Sequence, residues 1–461
     1  MNTHIKALVA ALLFSLLFYG KDFGINLILF ATIVTALLLT AEKKPPIGYV
    51  FPYLFTALMV FFDPTAFKVF IHFTSFLILI GKTIEAKSAI YLSFFMGLVN
   101  MFTASFSLLN TYQKKPESER KSISPRLKNM LKGILVSVVF AVLFSFLYKS
   151  ANPVFEGLIE QINLNFISFN WVLFTIMGYF IALHILRPYH PEKLIAIDKA
   201  QKNVLTKSAF PFDFDKKQKL TNEHSLGSYI FATINLLLVF YLITDAIYLG
   251  NSNTTSNAEF SAAVHKGIYA LLFSIICAIA IILYFFRGDL NFFEKNKILK
   301  NLSYTWLLLN VILVLFTCYK NYTYVEALGL TYKRIGVFIY LLLVLFGLCT
   351  TYIKVAKLKS FIYLVRTNIA LWATVLLLSS TIAWDRAITY YNLNFIQHPD
   401  MEYLIRLGAT NSQQLKEYAS KESNLISKNA SEKVAQKYQS NLEDINQKSW
   451  QEYTIYHFKL K

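Results

Sequence analysis

Apolar residues run along this chain in long unbroken blocks separated by short charged breaks, not with the helical or alternating periodicity of a soluble protein. Twelve such blocks can be read, at 7–19, 24–40, 47–62, 66–80, 88–110, 133–148, 171–186, 226–249, 267–286, 304–319, 335–353 and 361–383. Most approach the roughly 20 residues that a helix needs to cross a bilayer core. Barrel strands would be about ten residues long and alternating, so a β-barrel is excluded. The expected fold is therefore all-α: a polytopic transmembrane helical bundle of about 12 spans with a small helical C-terminal extramembrane tail.

The breaks divide the chain. Residues 1–110 form N-terminal transmembrane hairpins, and 111–132 a loop with seven Lys/Arg and two acids. A transmembrane pair with an interfacial segment fills 133–187, opened by Asn152-Pro153. A second basic loop at 188–225 precedes the C-terminal bundle at 226–384. Residues 385–461 are polar and nearly charge-balanced, with ten Lys/Arg and nine Asp/Glu, and form the tail. The tail is expected to be helical around 401–407 and again to Ala419, stopped between by Gly408. Pro45-Pro46 ends the second block and Asp63-Pro64-Thr65 makes a tight turn after the third.

The segment 303–334 carries the most specific pattern. Trp306, Asn310, Thr317, Asn321 and Tyr324 fall on one helical stripe, with Lys320 at its end. Polar atoms at that depth need partners in the protein, so the stripe should face other helices. The helix should stop near Gly329, with Thr331 capping the next.

Composition adds three restrictions. The chain of 461 residues is 55% hydrophobic and 16% charged, with a formal charge of +18. Basic cytoplasmic loops meeting anionic lipid headgroups account for that charge without nucleic acid. Cys277, Cys318 and Cys349 each lie in an apolar block without the spacing of a disulfide framework or zinc site. No metalloprotease, nucleophile-elbow, phosphate-loop or dinucleotide motif occurs, so no cofactor, metal or catalytic residue is assigned. His72 and His184 read as hydrogen-bonded packing residues.

Lys/Arg distribution places the loops at 111–132, 187–225, 287–301 and 354–360 in the cytoplasm and the tail in the periplasm. The first five blocks conflict with this count: Lys43, Lys44, Lys82 and Lys87 favour the inside, yet strict alternation from 111–132 puts them outside. Either the N-terminus is outside, or one early block does not cross.

Several irregular stretches occur in order: FYGKDFGINLILF at 18–30, SANPVFEGL at 150–158, HSLGSYIFATINLLLVFYLITDAIYL at 224–249, AEFSAAVHKGIYALLFSIICAIAIILYFFRGDLNF at 258–292, GLTYKRIGV at 329–337, then YYNLNF and DMEYLIRLGATNSQQL. With these the chain resembles a large group of bacterial integral-membrane proteins, of Bacteroidetes and Firmicutes type, held as a domain of unknown function. The resemblance covers nearly the whole chain and implies membership, but no activity. Asn152 stands where the group's turn often has Asp, and Lys266 and Lys320 where relatives carry other polar or basic residues.

Asp245, His265, Lys266, Asn310, Lys320, Glu326 and Arg334 form the candidate polar cluster; apart from Asn310, deeper on its stripe, they lie toward the outer ends of their spans. A cavity with Asp245 facing Lys266 or Lys320 competes with a plainer reading, snorkelling interface side chains with a structural ion pair or two. Two functions are carried forward. One is a sensor, scaffold or regulatory protein of the cell envelope whose basic loops dock a cytosolic or membrane partner. The other is a transporter or channel for a small solute or lipid using the polar cluster.

Overall fold

The computed structural model describes residues 3–41, 44–114, 168–207, 214–250, 274–421 and 427–460, with isolated positions between 129 and 152. Among these there is no strand, only an isolated bridge between Val204 and Lys359. The protein is a polytopic helical membrane bundle. Six helices are long and apolar enough to cross a bilayer: Ala66–Ile84, Phe169–Leu186, Phe214–Ile247, Lys297–Leu328, Tyr332–Ala356 and Phe361–Ser379. Five shorter apolar helices accompany them, at Thr3–Phe18, Ile25–Leu39, Ile47–Phe62, Ile90–Phe102 and Ser274–Phe285. The block at 133–148 lies mostly outside the described residues.

In the N-terminal bundle α1 (Thr3–Phe18), α2 (Ile25–Leu39), α3 (Ile47–Phe62), α4 (Ala66–Ile84) and α5 (Ile90–Lys114) run in sequence, and α6 (Phe169–Leu186) packs along α1. Leu27, Val34, Leu38, Tyr53, Leu79 and Ile185 are among its buried core. Helices α4 and α5 touch backbone to backbone at Gly81, where a Cβ would overlap the main chain of Ser93. In membranes small residues commonly permit such approach, because packing rather than hydrophobic segregation drives association. After α7 (Glu192–Ala200), the C-terminal bundle comprises α8 (Phe214–Gly250), α9 (Ser274–Phe285), α10 (Lys297–Leu328), α11 (Tyr332–Ala356) and α12 (Phe361–Ser379). Its core includes Phe231, Ile282, Phe286, Trp306, Val314 and Leu348.

The tail folds as a compact unit from α13 (Trp384–Phe395), α14 (Met401–Arg406), α15 (Ser412–Lys421), α16 (Lys428–Gln447) and α17 (Ile455–Leu460). Ile388, Leu404, Leu415 and Val434 form its core together with Ile335 of α11, so the tail packs on the bundle's end. Lys437 holds the end of α14 by donating to the carbonyls of Ile405 (2.9 Å) and Leu407 (2.8 Å) and to Asn411 Oδ1 (2.7 Å).

Side-chain contacts fix which helix ends share a face. Glu85, between α4 and α5, pairs with Lys199 of the second basic loop at 2.7 Å. Arg187 reaches Thr3 at the start of α1 (3.3 Å), and Lys82 stands over the Tyr49 ring near the start of α3 (4.7 Å). Residues 3, 49, 82 and 85 therefore lie on the face that carries 187–207 and 354–360. An N-terminus on the face opposite the basic loops does not describe this arrangement, whereas an early block that does not cross is compatible with it at 88–110. The N-terminus is on the basic face, helices α1 to α4 alternate, and Lys82 joins the basic loops as its charge requires. The odd crossing that upset the count falls between 90 and 167, largely outside the described residues.

Candidate functional site: the junctions between the two bundles and the tail

On the basic face the second loop clamps both bundles. Asp198 accepts from Arg366 of α12 (2.8 Å), from the Tyr91 hydroxyl (3.1 Å) and from the Ala89 amide of the α4–α5 turn (3.3 Å). Burial works against the Asp198 charge, but Arg366 and these hydrogen bonds hold its carboxyl below the usual value. Beside it Leu205 N donates to Leu358 O (2.8 Å) and Ser360 N to Asn203 O (3.0 Å).

On the opposite face the tail makes the equivalent bridge. Toward the C-terminal bundle, Gly329 ends α10 with φ +82°, a conformation that favours glycine. The Asn392 carboxamide then closes on Leu330, accepting from its amide (2.6 Å) and donating to its carbonyl (2.9 Å). Thr331 caps α11 through the Arg334 amide (3.4 Å). The Tyr332 hydroxyl donates to Asp385 Oδ1 (2.7 Å), and the Tyr332 amide donates to the Tyr403 hydroxyl (2.9 Å).

Toward the N-terminal bundle, Ile25 N donates to Tyr453 O (2.9 Å) and Asp22 N to Glu452 Oε1 (3.0 Å). Lys21 and Lys448 add ion pairs to Glu452 (3.8 Å) and Asp22 (3.6 Å). Burial raises the Glu452 carboxyl, but the amides of Asp22 and Ser449, the Ser449 hydroxyl and the Lys21 charge bring it below the usual value. Between these contacts lies the fully buried pair Asp63–Lys68, 2.8 Å apart across the α3–α4 turn. Burial first, then the charge of Asp63, push the Tyr456 hydroxyl of the tail up to about 12.

The seven residues singled out from the sequence are not gathered in one place. Lys320 donates to Asp245 Oδ1, and both side chains are largely buried, at 17% and 10% exposure. Asn310 is buried ten residues deeper on α10, about 15 Å along the helix, and donates within it to Trp306 O (2.8 Å). Arg334 serves its own hairpin, donating to the carbonyls of Leu328 and Gly329 and stacking over Tyr324 (4.1 Å). Glu326 is exposed. His265 and Lys266 lie outside the described residues. The stripe itself is buried: Trp306, Asn310, Thr317, Asn321 and Tyr324 all face inward. Of the histidines, His72 hydrogen-bonds Thr56 (3.1 Å) and stacks on Tyr53. Among the described residues no group of three His, Cys, Asp or Glu could hold a metal ion.

Sequence reading missed Asp63–Lys68, Asp385 and Asn392. One signal was available for the first: a lysine in the opening turn of α4 is opposed by the helix dipole and calls for an acid nearby.

A family model for a domain of unknown function, DUF4153, matches residues 6–418. The chain belongs to the DUF4153 family. No curated protein and no solved structure matches it. The matched region takes in both bundles and the tail through α14 and most of α15. It therefore includes Asn392, Asp385 and the hairpin they hold, and stops short of Glu452.

Proposed function

We propose that this DUF4153 protein is an inner-membrane sensor or regulatory scaffold of the cell envelope. In this reading the tail and the α10–α11 hairpin face the periplasm, and the loops at 187–207 and 354–360 face the cytoplasm. One observation carries it: the tail is hydrogen-bonded to both bundles on one face, while Asp198 clamps the same two bundles on the other. A change in how the tail sits would shift one bundle against the other and reach the clamp. The exposed lysines of the second loop, such as Lys193 and Lys202, would then present a basic docking surface to a cytosolic or membrane partner.

The transport reading has its own support. Asn235 Oδ1, Trp306 Nε1 and Asn310 Oδ1 are buried in the C-terminal bundle without a hydrogen-bond partner among the described residues. A polar solute passing there would meet them.

One experiment separates the two. A photo-crosslinking amino acid at Lys202, activated in intact cells, should trap a discrete protein adduct that weakens when Asn392→Ala opens the tail junction. Absence of any adduct, with uptake of a polar solute that Asn310→Leu abolishes, would replace this reading with transport.

A further inference from the structure

A cleft of about 400 Å³ separates the two bundles, walled by α3, α4 and α5 on one side and α12 on the other. Its lining is almost wholly apolar, with Pro52, Phe70 and Phe94 opposite Trp372, Ala373 and Leu376. It runs alongside membrane-spanning helices, so the medium beside it is acyl chain rather than water. Toward the basic face it ends at Tyr49 and Tyr91.

Those two tyrosines carry the second half of the argument. Lys82 stands over the Tyr49 ring and is itself 5% exposed. Its Nζ donates to the carbonyls of Ser88 and Ala86, and no carboxylate is in ion-pair contact with it among the described residues. Exposed Lys87 lies just beyond. The Tyr91 hydroxyl is held by Asp198, already neutralised by Arg366. Nearby Glu85 is likewise taken up by Lys199. The cleft thus combines an acyl-lined shaft with a net positive end at the depth of the basic-face headgroups.

We propose that this cleft is a binding site for one anionic phospholipid. An acyl chain fills the space between the bundles, and its phosphate lies by Lys82 and Lys87. The lipid extends the packing between the two bundles, where α5 and α12 are in contact.

The test uses the full-length protein, stripped of lipid in detergent and titrated with phosphatidylglycerol or phosphatidylethanolamine under native mass spectrometry. One phosphatidylglycerol should bind saturably at about thirtyfold lower concentration than phosphatidylethanolamine, the preference expected for two lysines near the headgroup. Ala373→Trp should abolish that first adduct, and Lys87→Gln should reduce the preference. Val9→Trp, on the exposed face of α1, should leave both unchanged. If Ala373→Trp does not fold, Thr74→Phe narrows the same cleft from the opposite wall and should also remove the adduct. Equal binding of the two lipids, or a preferred adduct that survives every cleft-filling variant that folds, would overturn the proposal.

Discussion

Asp63→Asn and Lys68→Met each leave one charge without its partner at a fully buried position. The side chains of Asp63 and Lys68 are 1% and 2% exposed and 2.8 Å apart, so water screens neither. Removing one member of such a pair costs about 3–5 kcal/mol, chiefly because the remaining charge stays buried. Replacing both removes the stranded charge, so the double variant should be no less stable than the milder single. Lys68→Met also relieves a positive charge in the first turn of α4, worth about 0.3–1 kcal/mol, so it should be the milder of the two. Unfolding of the purified protein by denaturant in a fixed detergent, followed by tryptophan emission, measures all three. Losses below about 1 kcal/mol, the value of a solvated ion pair, would refute the reasoning. So would a double variant that falls by the sum of the singles.

Asp245–Lys320 is less completely enclosed, so Asp245→Ala and Lys320→Ala should each lower stability by less than the Asp63 variant, again without additivity in the double; additive losses would mark two independent interface charges. Gly329→Ala should destabilise the tail junction, because the added methyl meets both a positive φ and the Asn392 side chain; an unchanged melting temperature would remove that constraint. Lys437→Met deletes three hydrogen bonds at the end of α14 and should release that helix to proteolysis while the bundle stays intact; unchanged tail protection would show they contribute nothing. Acid should detach the tail from α2. Glu452 has a folded value below its unfolded value of about 4.3, so its contribution is complete above that pH and is lost as pH falls through the folded value. The emission of neighbouring Trp450 should shift with a midpoint below about 4.3, and Glu452→Gln should already be shifted at pH 7. A midpoint at or above 4.3 would contradict the sign.

The membrane bundle was legible because its signal is local. Each apolar block announces its own helix, and Gly329 and Thr331 announce the hairpin in a few residues, where the helix end and cap are found. The inward stripe from Trp306 to Tyr324 was legible for the same reason, since polarity at helical spacing has one physical outcome inside a bilayer. What escaped was long-range. Asn392 meets Leu330 across 62 residues, and Asp22 meets Glu452 across 430. Nothing in the periodicity of either partner points to the other. The charge count failed for the first helices because it assumed unbroken alternation through 90–167. The placement of Lys82 and Glu85 beside the second loop shows that this assumption was at fault, whereas the preference of lysine for the basic face held.

Hydrogen exchange on the protein in membranes tests most directly whether the tail is coupled to the basic face. Asn392→Ala must free the Leu330 amide, which donates to its side chain, and that loss confirms that the outer junction has opened. The coupled arrangement predicts that protection also falls about fivefold or more at Leu205 and Ser360, whose amides bridge to Leu358 and Asn203 on the far face. Faster exchange at Leu330 with unchanged protection at Leu205 and Ser360 would show that the two faces are independent, and would contradict the account.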